Sequence, residues 1–202
     1  MQNKWRASNS HNETFLAGSM AYFDMSKISV GKRSYGPITV QMFGSENEGL
    51  IIGNYVSIAS GVTFLLGGNH PYNGISTYPF KVKLLGQQIE AVSKGPVVIE
   101  DDVWIGLNSL ILSGVRIGKG AVIAAGTVLT KCAPPYSIVA GNPARIVKFR
   151  FEQEVIKELC RLDFSKIDEQ TLIENKDILY QQLNKDNVKS IVDRLMNQSV
   201  SS

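Results

Sequence analysis

The sequence predicts a mainly β chain, a coil of short parallel strands interrupted by a protruding loop and followed by a helical segment. Three observations carry that prediction. Aliphatic residues recur at every sixth position from Ile99 through Ile105, Ile111, Ile117 and Ile123 to Leu129. The residues four further on, Val103, Ser109, Val115, Ala121, Thr127 and Ala133, are all small or β-branched. Beyond Phe151 the apolar period changes to that of an α-helix. With roughly a quarter of positions aliphatic, six in register by chance is on the order of one in several thousand.

A period of six suits neither a helix nor a hairpin meander. It suits three short strands per turn, one hexad to each face, with the aliphatic residue pointing to the axis. The small residue two places before it shares the inward side of the strand. Gly106, Gly118 and the pairs Ser113-Gly114, Lys119-Gly120 and Ala125-Gly126 are expected to form the corners.

In chain order, residues 1–27 are polar with scattered aromatics and are expected to lie across the first coils. The coil domain is expected over 28–150. Ile28, Val30 and the run Ile38-Thr39-Val40 read as strands around Pro37. The hexad register appears at Ile52 and Ile58, and Phe64 takes the next inward position. After Leu66 the pattern breaks at Gly67-Gly68-Asn69-His70-Pro71, and an excursion over 67–97 leaves the coil. A long interruption of a regular coil is uncommon unless it is a functional loop. In the helical extension, 151–202, Val155, Ile156, Leu159 and Leu162 form one stripe. Val188, Ile191, Val192, Leu195 and Met196 form another. Both are expected to pack on the end of the coil or on a neighbouring subunit.

Composition narrows the function. The 202 residues are 44% hydrophobic and 19% charged, with a net charge of +3, too small to argue for nucleic acid. No stretch approaches the roughly 20 apolar residues of a membrane span. Met1 to Phe23 has no apolar run of signal-peptide length. Two cysteines are too few for a disulfide framework, which predicts a cytoplasmic protein. His70 is one of only two histidines and stands where the coil opens into the loop. Imidazole takes a proton near neutral pH, so His70 is the candidate catalytic base.

The hexads, the GGNHP string, Ser76-Thr77-Tyr78-Pro79-Phe80 and Gly141-Asn142-Pro143-Ala144-Arg145 together resemble the hexapeptide-repeat acetyltransferases. The likeness is to the branch holding type B chloramphenicol and streptogramin A acetyltransferases and sugar O-acetyltransferases. The resemblance implies a left-handed parallel β-helix, a homotrimer with active sites between subunits, acetyl-CoA as co-substrate and no metal. It implies that His70 is the general base. By the same resemblance, Trp104 and Gly106 flank the cofactor groove, and Ala124 and Ala125 let pantetheine approach the backbone. Thr130, Lys131, Asn142, Arg145 and Lys148 then meet coenzyme A, the cations facing its phosphates. Tyr35, Tyr72, Asn73, Thr77 and Phe80, with Tyr78, are the expected acceptor-pocket residues.

The first expected reaction is acetyl transfer to a hydroxyl of a sugar or surface-polysaccharide precursor. The reason is that Leu162-Asp163-Phe164 replaces a tryptophan-rich stretch of the drug-modifying relatives. Acetylation of a chloramphenicol or streptogramin A type antibiotic is the alternative. Cys132 as an acetyl-carrying nucleophile and a non-catalytic trimeric scaffold are the rival chemistries. A zinc site of carbonic anhydrase type is disfavoured by having only two histidines.

Overall fold

The hexads become strands of two or three residues stacked in three parallel ladders. The structure is a computed structural model and describes residues 2–17 and 23–198. Met1, residues 18–22 and residues 199–202, which belong to the expected terminal segments, lie outside the described residues. Two compact units are formed, residues 1–147 and 148–202.

In the first unit, α1 (Gln2–Ser8) and β1 (Glu13–Leu16) precede the coil. One face stacks β2 (Ile28–Val30), β4 (Leu50–Ile52), β7 (Val97–Ile99) and β10 (Arg116–Ile117). The second face begins with the first half of β3 (Tyr35–Gln41), followed by β5 (Ser57–Ile58), β8 (Trp104–Ile105), β11 (Val122–Ile123) and β13 (Ser137–Ala140). The second half of β3 turns onto the third face with β6 (Thr63–Leu65), β9 (Leu110–Leu112) and β12 (Val128–Leu129). β1 pairs in parallel beside β3, matching Glu13 to Tyr35, and Trp5 of α1 is buried in the same core.

Each ladder puts one aliphatic column on the axis. Ile52, Ile99 and Ile117 align on the first face, Ile58, Ile105 and Ile123 on the second, and Phe64, Ile111 and Leu129 on the third. All nine are buried, as are their small companions from Val103 to Ala133. Each such side chain contributes about 1.5–3 kcal/mol when fully buried. No single hexad could do this alone, because its inward face needs the coil above and below.

The corners use two devices. Asn108, Gly114, Gly120 and Gly126 have left-handed backbone, φ between 56° and 75°, each just before a small inward residue. Gly106 and Gly118 open the corners without left-handed backbone: Ala121 N donates to Gly118 O at 3.1 Å, and Ser109 Oγ donates to Gly106 O at 2.8 Å. A Cβ on Gly106 would come 2.6 Å from the Ala125 nitrogen, and one on Gly118 would come 2.5 Å from that of Pro135. They are glycines because the next coil crosses close above them.

Between β6 and β7 the chain leaves the coil as an arm, whose one helix is the short α2 (Phe80–Leu84). The last strand, β14 (Arg145–Phe149), leads into the second unit. That unit holds α3 (Gln153–Leu159), α4 (Glu169–Glu174), α5 (Lys176–Leu179) and α6 (Val188–Gln198). Its two apolar stripes pack on each other. Val155, Ile156 and Leu159 of α3 are buried where it meets α6, as are Val188, Val192 and Leu195. Arg161 ties the pair at the surface, binding Glu158 and, at 2.6 Å, Asp193.

Candidate active site

The GGNH string owes its glycines to what packs on it. Glu48 is buried, and its carboxylate accepts the amide hydrogens of Phe43 (3.0 Å) and Gly44 (3.1 Å). A Cβ on Gly67 would meet that carboxylate at 2.1 Å. Gly68 has φ of +80°, and a Cβ there would strike the Phe43 ring at 2.7 Å. The two glycines therefore let the turn before β4 press against the root of the arm.

The root is closed by hydrogen bonds. Asn69 and Val92 exchange backbone bonds at 3.0 and 2.8 Å, and the Asn69 side-chain amide donates to Val92 O and to Ser113 Oγ. Ser93 Oγ donates to Leu66 O at 2.5 Å. His70 follows this clamp directly. Its Nδ1 lies 2.7 Å from the carbonyl oxygen of Thr77. A carbonyl can only accept, so Nδ1 carries the hydrogen and donates it, and Nε2 is the nitrogen left with a lone pair in the neutral ring.

A cavity of about 190 Å³ opens beside His70. Phe43, Pro79, Val82, Ile89 and Ala91 form its apolar wall, and Gln88 and Glu90 are its other polar residues. Of the expected acceptor residues, Thr77 reaches the site through its carbonyl. Tyr72 and Asn73 stand out on the arm, and Phe80 stacks on Tyr78 with ring centroids 5.0 Å apart. None of Tyr35, Tyr72, Asn73 and Phe80 lines the cavity. Phe43, Gln88, Ile89, Glu90 and Ala91 escaped sequence reasoning because they come from the turn before β4 and the returning limb of the arm. Only the break in hexad period at both places hinted at them.

A second cleft, about 400 Å³, lies at the last coils and joins Lys131 and Arg145 with Leu129, Cys132, Val139 and Ile146. It forms because the GNPAR segment continues the third face beyond β12. Val128 N donates to Gly141 O, and Ala144 N donates to Val128 O. Among the described residues, Arg145 donates only to the neighbouring Ala144 carbonyl and Lys131 has no ion-pair partner. Both cations are therefore open to an anion. Lys148 belongs to the second unit.

These residues follow one edge of the coil. The arm leaves after β6, Ser113 follows β9 and Lys131 follows β12, while Arg145 opens β14, which pairs with β13. At about 4.8 Å per strand, Lys131 lies two rungs, about 10 Å, along the stack from the root of the arm. Thr130 and Asn142 are exposed near that edge. Tyr35 and Trp104 lie elsewhere, outward on the second face, separated by Ser57 in the ladder. Ala125 is exposed at the next corner, and Gly106 is buried under its backbone. One copy of the chain does not bring the two sets together. Cys132 has the backbone N–H of Arg116 at 3.3 Å from its sulfur. Among the described residues no group of three His, Cys, Asp or Glu side chains is placed to hold a metal ion. No helix among them is long and apolar enough to cross a membrane.

A stacked coil with a histidine at the root of an arm and a cationic cleft further along the same edge defines a class of β-helical group-transfer proteins. Residues 96–131 match the family model described as the hexapeptide repeat of succinyl-transferase. The chain is 44% identical over 137 residues to a probable macrolide acetyltransferase of Lysinibacillus sphaericus, a match covering 64% of this chain and 76% of that protein. It is 40% identical over 122 residues to a chloramphenicol acetyltransferase of Klebsiella aerogenes, covering 57% of this chain and 58% of the relative. The chain thus spans little more than half the length of that relative. A hexapeptide-repeat-containing acetyltransferase from Vibrio cholerae, solved in complex with acetyl coenzyme A, is 28% identical with a TM-score of 0.55. That match covers 74% of this chain and 78% of the other. A maltose O-acetyltransferase from Clostridium difficile is 30% identical with a TM-score of 0.54, covering 70% and 67% of the two chains. The chain belongs to the hexapeptide-repeat acetyltransferases, and its coil is that family's left-handed parallel β-helix.

Proposed function

We propose that this protein transfers an acetyl group from acetyl-CoA to a hydroxyl of a small amphipathic molecule, with His70 as general base. The observation that carries the proposal is the fixed tautomer of His70 beside an apolar cavity. Nε2 takes the proton of the acceptor hydroxyl as its oxygen attacks the thioester carbonyl. The tetrahedral intermediate then collapses, the C–S bond breaks, and the imidazolium returns the proton to the departing thiolate. The Thr77 carbonyl stabilises the imidazolium through Nδ1–H at that stage. Lys131 and Arg145 receive the phosphates of coenzyme A, and the coil edge between them and His70 carries the extended pantetheine.

The apolar wall favours an antibiotic-like acceptor over a polysaccharide precursor, in agreement with the macrolide and chloramphenicol relatives. The second reading, a sugar hydroxyl, is favoured by the likeness to the maltose O-acetyltransferase. A homotrimer is part of the proposal. It would bring Tyr35 and Trp104 of one copy towards the His70 edge of another, which no single copy does. Two cysteines, too few for a disulfide framework, suit a cytoplasmic enzyme.

The test is thiol release from acetyl-CoA with a macrolide, chloramphenicol and maltose, for wild type and His70→Ala. Turnover with one class that falls at least a hundredfold in the variant, with coenzyme A binding retained, is expected. Turnover that survives the substitution would remove His70 from the mechanism. Light scattering should give a mass three times that of the 22.2 kDa chain.

A further inference from the structure

The cavity beside His70 is lined in part by Glu90, an acidic residue that the transfer chemistry does not use. Glu90 is half-buried, and its Oε2 accepts the Lys81 amide hydrogen at 3.0 Å in the first turn of α2. That bond occupies one oxygen. No Lys or Arg among the described residues pairs with the group. The rest of the wall is apolar except for His70 and Gln88. An acceptor filling this space would strip water from the carboxylate, and an uncompensated charge in an apolar recess is costly. An acceptor that brings its own cation turns that cost into a charge-assisted hydrogen bond. An anionic acceptor would be repelled.

We propose that Glu90 is a cation subsite and that the acceptor is an amino alcohol. Its hydroxyl faces His70 and its protonated amine faces Glu90. A tertiary amine fits this arrangement best, since it holds the charge but cannot itself yield a stable amide. This rests on the cavity beside His70 being the acceptor site. Gln88, with no charge, adds a neutral polar contact on the same wall.

Capping α2 is the competing role for Glu90, and the test separates the two. Glu90→Gln keeps an oxygen for the Lys81 amide and removes only the charge. The probes are the methyl glycoside of a 3-dimethylamino-3-deoxyhexose and its N-oxide, which has nearly the same shape and no net charge. Binding to the full-length protein is measured by NMR titration, and turnover is followed by thiol release. Wild type should bind the amine at least tenfold more tightly than the N-oxide, and Glu90→Gln should erase the difference. Equal or absent binding of both probes to wild type overturns the cation subsite. So does a Glu90→Gln variant that weakens both probes equally, since that is what loss of the cap alone would do. Chloramphenicol turnover, measured in parallel, reports on the acceptor site itself. Activity on it that His70→Ala abolishes, with no amine preference, leaves the general base standing and removes only the cation subsite.

Discussion

The coil and the arm are built on opposite principles. In the coil every hexad hides the same two side chains, so neighbouring turns support one another and no single contact decides the fold. In the arm Tyr72, Ile75, Leu84 and Leu85 are exposed, and Ile75 is fully so. Its course near the coil is fixed by a few polar ties, Asn69 to Val92, Ser93 to Leu66 and His70 to Thr77. Repetition gives the frame its stability, and a handful of hydrogen bonds give the site its geometry. Substitutions in the two regions should therefore fail in different ways.

The sharpest contrast is at His70, which is exposed and whose side chain ties only to the Thr77 carbonyl within the arm. His70→Ala should reduce turnover by about 10²–10⁴-fold, with a melting temperature close to wild type in a thermal scan. Ile111→Ala is the counterpart in the coil. It should cost about 2–5 kcal/mol in denaturant unfolding, and activity per folded molecule should change little. An Ile111→Ala protein as stable as wild type would contradict the stacked-column account of the core.

Glu48 lies between the two regions and should show both effects. Glu48→Ala leaves the Phe43 and Gly44 amides without their buried acceptor, at a cost of about 1–3 kcal/mol. The Phe43 wall beside His70 should also loosen, raising KM for the acceptor more than for acetyl-CoA. A smaller effect is expected at the cleft. Lys131→Ala with Arg145→Ala should raise KM for acetyl-CoA several-fold, and the penalty should shrink as salt is added, because exposed charges are screened. The smallest is Ile75→Ala at the tip of the arm, within about 0.5 kcal/mol of wild type in stability. A larger loss measured at oligomer-forming concentration would place Ile75 in an interface between copies.

What could be read in advance follows the same division. Ile99 to Leu129 announced the axis because a six-residue period has one economical solution, and His70 announced itself by standing where that period stops. The helical stripes were equally plain, but not their mutual packing, since each stripe is compatible with any apolar partner. Gly67 and Gly68 could be noticed, yet the cause of their conservation of space, the Phe43 ring and the buried Glu48 carboxylate, comes from a turn many residues earlier.

The sequence by itself determined the coil, the arm and the helical end, because burial on a repeating lattice is written in the order of residues. The tertiary structure decided which hydrogen His70 gives away, that Phe43 and Glu90 share its cavity, and that Tyr35 and Trp104 stand on another face. A backbone carbonyl such as that of Thr77 has no side-chain signature, and contacts between a turn and a returning loop have no period. Those features exist only once the chain has closed on itself.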